Sequence, residues 1–509
     1  MPDAVETHLK RELMHAVWDM LLDDDFIKAC DDGLEILCYD KILRDVFPWI
    51  YLYGADYPER VLLATVRNMG GCPCPRCFIK KLQIAETGMK RDMQRRQNIR
   101  KVDHWWLAQI EKARTGIFNR GLGVNSAFVE ALLKDNSWVP TRNAFAKWQI
   151  MFVPDVLHEV ELGVVKALFI HIVRLLYAHG DSAVSELDAR FRQIPTFGRA
   201  TIRKFLRNVS EMKQFAARDY EDIIQCALPP LEGLYPQFNK LLLDVCFDLA
   251  TFHGMAKLRL HTNKAVADFR VVTTDMCASI RKFARDTQKI KTFETPRERD
   301  RRSKRAQAAK QRTPANAAAN ATSGSTAAPQ PPLTAPAATG SISARREKVF
   351  NVETPKFHSL AYYPDSVKEH GSLDSHTTQN SEGAHRKPKL MYGKTNKRNH
   401  VPQIAAHDRR QRLLRRMRAR REEELVQAAK KAAGAAENSE GAEDVRKAAR
   451  AHRTVTSTIL REALQPNEVT PRAAPDHHHR ISGEAIPLPH DGERSTRMAP
   501  PPENSSCYK

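Results

Sequence analysis

Phe47-Pro48-Trp49-Ile50-Tyr51-Leu52-Tyr53-Gly54-Ala55-Asp56-Tyr57-Pro58-Glu59, followed at once by Cys72-Pro73-Cys74-Pro75-Arg76-Cys77, is the stretch on which the reading of this chain turns. An aromatic, partly β-branched run that stops on a lone aspartate predicts a strand delivering a carboxylate to its end. Thiolates at zinc-ligand spacing lie just downstream. Upstream, Leu34 to Tyr39 predicts a short strand ending at Asp40, and Val46 to Tyr53 a second, more buried one. Pro58 suits the first turn of a helix that begins after Asp56.

Working outward, residues 7–29 carry Leu9, Leu13, Val17, Met20 and Leu21 at helical spacing, so a helix opens the chain. From about 121 to 290 the pattern is helical almost throughout, with helices expected over 153–178, 200–209, 219–228, 238–257 and 265–286. Residues 297–346 begin with a basic run (297–305) and pass into an Ala/Thr/Pro/Ser tract that cannot bury enough apolar surface to fold. Ordered sequence returns over 349–400. It is too short to stand alone and must pack back on the first block. A very basic run at 409–421 predicts a helix, and the last forty residues read as disordered.

The chain has 509 residues, with 81 Lys plus Arg against 60 Asp plus Glu, a formal charge of +21. A surplus of that size favours a polyanionic partner, although solvated tails account for part of it. The nine cysteines are too scattered for a disulfide framework and suit a reducing compartment with one metal site. The opening residues do not resemble a secretory signal, and the apolar stretch 162–177 carries Lys166, His171 and Arg174 on a helical period. No membrane partner and no small-molecule substrate are expected.

Three constellations bear on chemistry. Cys74-x-x-Cys77, with Cys72 as a third thiolate, fits a zinc knuckle; reduced structural thiols and a redox pair are the alternatives. The flanking glycines and prolines speak for a knuckle, with His104 or the helical block supplying the missing ligand. Among the acids, Asp56, Asp40 and Glu382 could converge on Mg²⁺, although a single Asp after a strand is more often a helix cap. Finally, Asp155 after Pro154 reads as an N-cap, with His158 and Glu161 near one face of the following helix. His253 and His261 read as ordinary helix residues.

These residues resemble the transposases of Plavaka elements, a basidiomycete group allied to the Kyakuja-Dileera-Zisupton and CACTA-type cut-and-paste transposons. The carrying segments are 47–59, the Cys74–Cys77 knuckle, Asp155-x-x-His158-Glu159-x-Glu161-Leu162-Gly163, Ala217 to Cys226, His253 to Thr262, Lys356-Phe357-His358 and Asp374 to Arg386. The resemblance implies an α+β, mostly helical fold: a partial ribonuclease-H-like core interrupted by a large helical insertion and a zinc knuckle. It implies Mg²⁺-dependent DNA cleavage and strand transfer with three acids, nuclear localisation and DNA as partner; self-association is open. Asp56 would be the second acid, with Asp40 as its understudy, and Glu382 the third. The expected organisation is partial core 1–70, knuckle and basic connector 71–120, insertion 121–296, linker 297–346, final core segment 347–400, and basic helix with tail 401–509.

Two departures set the functional expectation. Relatives carry their first acid upstream of the segment with which this sequence begins, so that acid is expected to be missing. Their late motif reads Gly-Glu-x-Glu-His-Arg, where this chain has Ser381-Glu382-Gly383-Ala384-His385-Arg386. The expected protein therefore binds DNA and is catalytically dead or nearly so. An active transposase and a nuclear chromatin-binding scaffold are the alternatives.

Overall fold

A strong N-cap opens many of the helices. Asp23, Asp103, Ser126 and Thr262 each accept a backbone N–H from the first turn of the helices Asp24–Asp32, His104–Arg114, Ala127–Leu133 and Asn263–Thr287. The computed structural model describes residues 3–145, 151–199, 201–307 and 345–436, with side chains as far as 428. These residues fall into two units divided after Lys387.

In the first unit, a large apolar core gathers helices Val156–Val165, Lys166–His179, Asp181–Gln193, Ala217–Cys226, Asn239–Ala256 and Asn263–Thr287. Three of these, 217–226, 239–256 and 263–287, match the expected 219–228, 238–257 and 265–286 closely. Cys74, Cys77, Ile79 and Ile84 enter the same core, as do Phe357, Leu360, Tyr362 and Tyr363 from the late segment, which does return to the first block. A smaller cluster of Cys30, Leu63, Phe145, Met151 and Phe152 packs against Trp18, Phe26 and Tyr53.

Several expectations need correction. The expected 153–178 helix is two segments: Val156–Val165 is wound in wide π-type turns and passes into the α-helix Lys166–His179. Residues 201–209 are not helical; Phe197 and Ile202 exchange backbone hydrogen bonds at 3.1 Å around Gly198, and Arg203 is tied to Asp219 and Asp222 at 2.8 Å. The basic run expected to be linker is a helix over 296–307, opened by a capping box in which Thr295 and Glu298 bond each other's backbone N–H. The rest of that linker, 308–344, and the tail beyond 436 lie outside the described residues.

Strands are few. Among the described residues one hairpin pairs Leu34–Leu37 with Leu43–Val46, and all eight residues are exposed. The expected buried strand over 46–53 is instead an extended segment with Phe47, Trp49 and Tyr51 turned to solvent, more than half exposed. Pro48 lacks the N–H a ladder requires, and the period-2 pattern gives the run only one inner face, with Ile50 and Leu52 partly buried between exposed neighbours. Gly33 ends helix Asp24–Asp32 at φ 80°, and the Phe47 ring fills the space where a side chain would stand.

The second unit is dominated by helix His400–Ala436. Asn396 and Gln403 bond reciprocally across its start, at 3.1 and 2.7 Å. Among the described residues no helix is long and apolar enough to cross a membrane.

Candidate active site and metal centre

Tyr53 and Phe152 form a parallel bridge in which the Tyr53 N–H donates to the Met151 carbonyl at 2.8 Å. Three residues beyond each bridged position the chain reaches an aspartate, Asp56 and Asp155, and each caps the helix that follows. Asp56 accepts from the Glu59 N–H at 2.9 Å, and Asp155 from that of His158 at 3.0 Å. Two extended segments running side by side thus end on two acids at the same level.

Asp155 is buried and saturated. Its oxygens accept from His158 Nδ1 at 2.7 Å, Thr378 Oγ1 at 2.6 Å, Thr378 N at 3.0 Å and Thr377 Oγ1 at 3.4 Å, besides the capped N–H. Burial alone would raise its pKa, but the bonds from His158 and Thr378 outweigh burial and hold it below the usual range. Those threonines open helix Thr378–Ala384, so the same bonds bring Glu382 to the other side of the His158 ring, where Nε2 and Glu382 Oε1 stand 3.2 Å apart. Burial opposes charge on His158, yet Asp155, then Glu382 and Asp56, raise its pKa above the ordinary value. Gly54 allows this convergence: a Cβ there would stand 2.6 Å from the His376 carbonyl oxygen.

Glu382 thus contacts the His158 imidazole directly and Asp56 acts on it through its charge, whereas Asp40 stands apart. Asp40 sits in the hairpin turn, paired with Arg44 at 2.6 and 2.8 Å, and that hydrogen-bonded pairing pulls its pKa down to about 2. Its carboxylate neutralises a guanidinium next door in sequence. Glu161, expected near His158, points elsewhere. It accepts from His253 Nε2 at 3.2 Å and Lys257 Nζ at 3.1 Å, and Lys257 lies 3.5 Å from Glu221. Glu161, Glu221 and His253 have metal-ligand chemistry, but the Lys257 ammonium already supplies the cation there.

The thiolate centre also differs from its expectation. Cys74, Cys77 and His358 place one donor atom each within 4.8 Å of one another, all buried. Cys72 is excluded, because its thiol donates to the Asp135 carbonyl at 3.2 Å. His104 is excluded too: it is the first residue of helix His104–Arg114 and is exposed. Burial raises the Cys74 thiol, but the hydrogen bond from Cys77 and the His358 ring overcome it and hold Cys74 well below the usual range. The same bond and burial push Cys77 up. Two cysteine sulfurs and one imidazole nitrogen are a donor set suited to Zn²⁺. Tyr362 adds an oxygen 3.7 Å from Cys74 Sγ.

Around this centre Arg96 bonds His358 Nδ1 at 2.9 Å and the His358 carbonyl at 2.7 Å, and its Nε bonds Asp92 Oδ2 at 2.8 Å. Asp92 Oδ1 is buried without a partner, 3.8 Å from His358 Nδ1. With Nδ1 accepting from Arg96, Nε2 carries the proton and donates to Cys77 Sγ at 3.3 Å. Arg96 and Asp92 would orient the ring from its Nδ1 side were Nε2 to hold a metal.

His358, Thr378 and the saturated role of Asp155 were not foreseen from the sequence. The available signal was the pairing of two Asp-then-helix segments, 53–59 and 152–158, and a histidine in a Pro355–Ser359 turn rich in core residues.

The family model described as Plavaka transposase matches residues 2–173. No curated protein and no solved structure matches the chain. The matched segment contains Asp56, Cys74, Cys77, Asp155 and His158; Glu382 and His358, which complete the two clusters, lie beyond it.

Proposed function

We propose, from the premise that residues 2–173 are of Plavaka transposase type, that this transposon-derived protein is a nuclear DNA-binding member of the DDE superfamily with an incomplete cleavage site. The observation that carries the reading is the pair of parallel segments that bring Asp56 and Asp155 to one level, with Glu382 folded back to His158. That is how a ribonuclease-H-like core would present its acids.

Asp56 and Glu382 would hold Mg²⁺, a cation that prefers hard carboxylate oxygens. Bound there, it would polarise a phosphodiester and activate the attacking water or hydroxyl. Asp155 cannot serve as a third ligand while all its lone pairs accept hydrogen bonds; its role is to orient His158 and hold Thr378. His158, whose pKa the surrounding carboxylates raise against burial, would stand beside the acids on the side of the DNA backbone. Position 384, an alanine, supplies no replacement acid. Two carboxylates where such chemistry uses three leave metal affinity and nucleophile positioning both deficient. Zn²⁺ at Cys74, Cys77 and His358 would be structural, and the basic run 409–421 would serve nuclear import or DNA contact.

The test incubates the full chain with labelled duplex bearing matched element ends, in Mg²⁺ and separately in Mn²⁺. Salt-sensitive binding without nicking is the expected result. Strand cleavage that disappears in Asp56→Ala and Glu382→Ala would replace this reading with an active transposase, which the convergence of those two acids favours.

A further inference from the structure

A second cluster, of positive charge, adjoins the acids. Thr295, Arg297, Glu298 and Arg301 from the 296–307 helix and its cap line a cleft of about 70 Å³ together with Lys166 and Tyr220. Glu298 contributes no free charge, because Arg174 holds it with bonds of 2.5 and 3.1 Å. Among the described residues, neither Lys166 nor Arg301 has a carboxylate partner. The contact of Lys166 is the face of the Tyr220 ring at 5.7 Å. Arg297 donates to the Glu211 backbone carbonyl. Lys356 donates to the Leu162 carbonyl at 3.3 Å and lies against Gly163, where a Cβ would come within 2.8 Å of its Cδ.

These cations repel one another. Burial, then Arg301, Lys356 and Arg297, lowers the Lys166 pKa; burial and Arg301 lower that of Arg297. Lys356, lowered by burial, has Asp56 as its opposing charge. The positive track thus runs from the cleft to the carboxylates through Lys356. Lys166 is half-buried and, among the described residues, has no carboxylate partner, with the part-buried Arg297 and the exposed Arg301 on the same cleft, and a bound anion relieves the repulsion among the three. The first turn of the 296–307 helix adds backbone N–H dipoles on the same side.

We propose that Lys166, Arg297 and Arg301 grip a backbone phosphate of duplex DNA, with Lys356 carrying the strand on to Asp56. This rests on the DNA-binding reading above and assigns it a place. The cleft, with its aromatic ring and capped helix start, lies within the first unit.

The test is fluorescence anisotropy of a labelled duplex titrated with the full chain between 50 and 200 mM salt. Variants are Lys166→Gln with Arg301→Gln, Arg301→Gln alone, and Lys264→Gln as control, a lysine paired with Asp268 at 2.7 Å. Each lost phosphate contact removes roughly 0.9 from the slope of log K against log salt. The double variant is expected to lose about 1 to 2 in slope and at least tenfold in affinity, and Arg301→Gln about half of that. The control should stay within twofold. Thermal stability of the double variant is expected to equal or exceed the parent, because repulsion is relieved. An unchanged slope in a folded double variant overturns the grip and leaves DNA binding standing. A parent chain with no salt-dependent binding overturns DNA binding itself and the grip with it.

Discussion

Replacing His358 with Gln tests which side chains form the metal centre. The wild-type chain is expected to retain one Zn²⁺ per molecule after dialysis, measured by elemental analysis, and His358→Gln and Cys77→Ser none. Cys72→Ser is expected to retain it, because a serine hydroxyl still donates to the Asp135 carbonyl that the thiol occupies at 3.2 Å. Free zinc at a hundredfold excess over Kd stabilises a folded chain that binds it by about 2.7 kcal/mol. At roughly 1.5 °C per kcal/mol for a unit of this size, zinc should raise the wild-type Tm by about 4 °C. The same addition should leave His358→Gln unmoved. Cobalt substitution supplies an independent readout, since thiolate-to-metal charge transfer reports the sulfur ligands directly. Zinc retained by His358→Gln, or lost by Cys72→Ser, would refute the assignment and return the site to a three-cysteine knuckle.

Other perturbations follow from buried charge and close packing. His171, buried against Phe350 and bonded to Thr287 at 3.1 Å, has its pKa pushed down to about 4 by burial and then Arg174. The unfolded chain takes up that proton first, so stability present above about pH 6.5 is lost as pH falls towards 4. The loss is about 3 kcal/mol in urea titrations and is absent in His171→Gln. Lys257→Met leaves Glu161 and Glu221 buried without their shared cation and should cost about 3 kcal/mol or more by chemical denaturation. Gly54→Ala must push back the His376 carbonyl, 2.6 Å from the new methyl group. It should lower stability by about 1 to 3 kcal/mol and weaken binding of Mn²⁺, followed by its paramagnetic effect on water relaxation.

Helical periodicity located the long helices well, because 239–256 and 263–287 each bury one continuous stripe, while the shorter 217–226 is buried on most sides. Capping chemistry was equally readable: Asp155 and Asp56 both begin helices, the commoner fate of such an aspartate and one compatible with a site role. Cys74 and Cys77, legible from spacing, stand together with His358, whereas the Cys72 thiol is turned to a backbone carbonyl, which spacing alone cannot show. The strand expected over 46–53 failed because aromatic content was taken for burial, while Pro48 and the outward Trp49 and Tyr51 mark one-sided packing. His358 was beyond local reasoning. Its partner Cys77 is 281 residues away, and only the return of the late segment to the helical core brings them together.

That separation has a consequence for biosynthesis. A ribosome adding roughly 5 to 20 residues per second exposes Cys74 and Cys77 some 15 to 55 seconds before the histidine 281 positions later emerges. Throughout that interval the nascent polypeptide carries a bare dithiol, open to oxidants and to stray copper. Cells short of reductant or of metal-buffering capacity during translation should therefore accumulate mispaired, insoluble product.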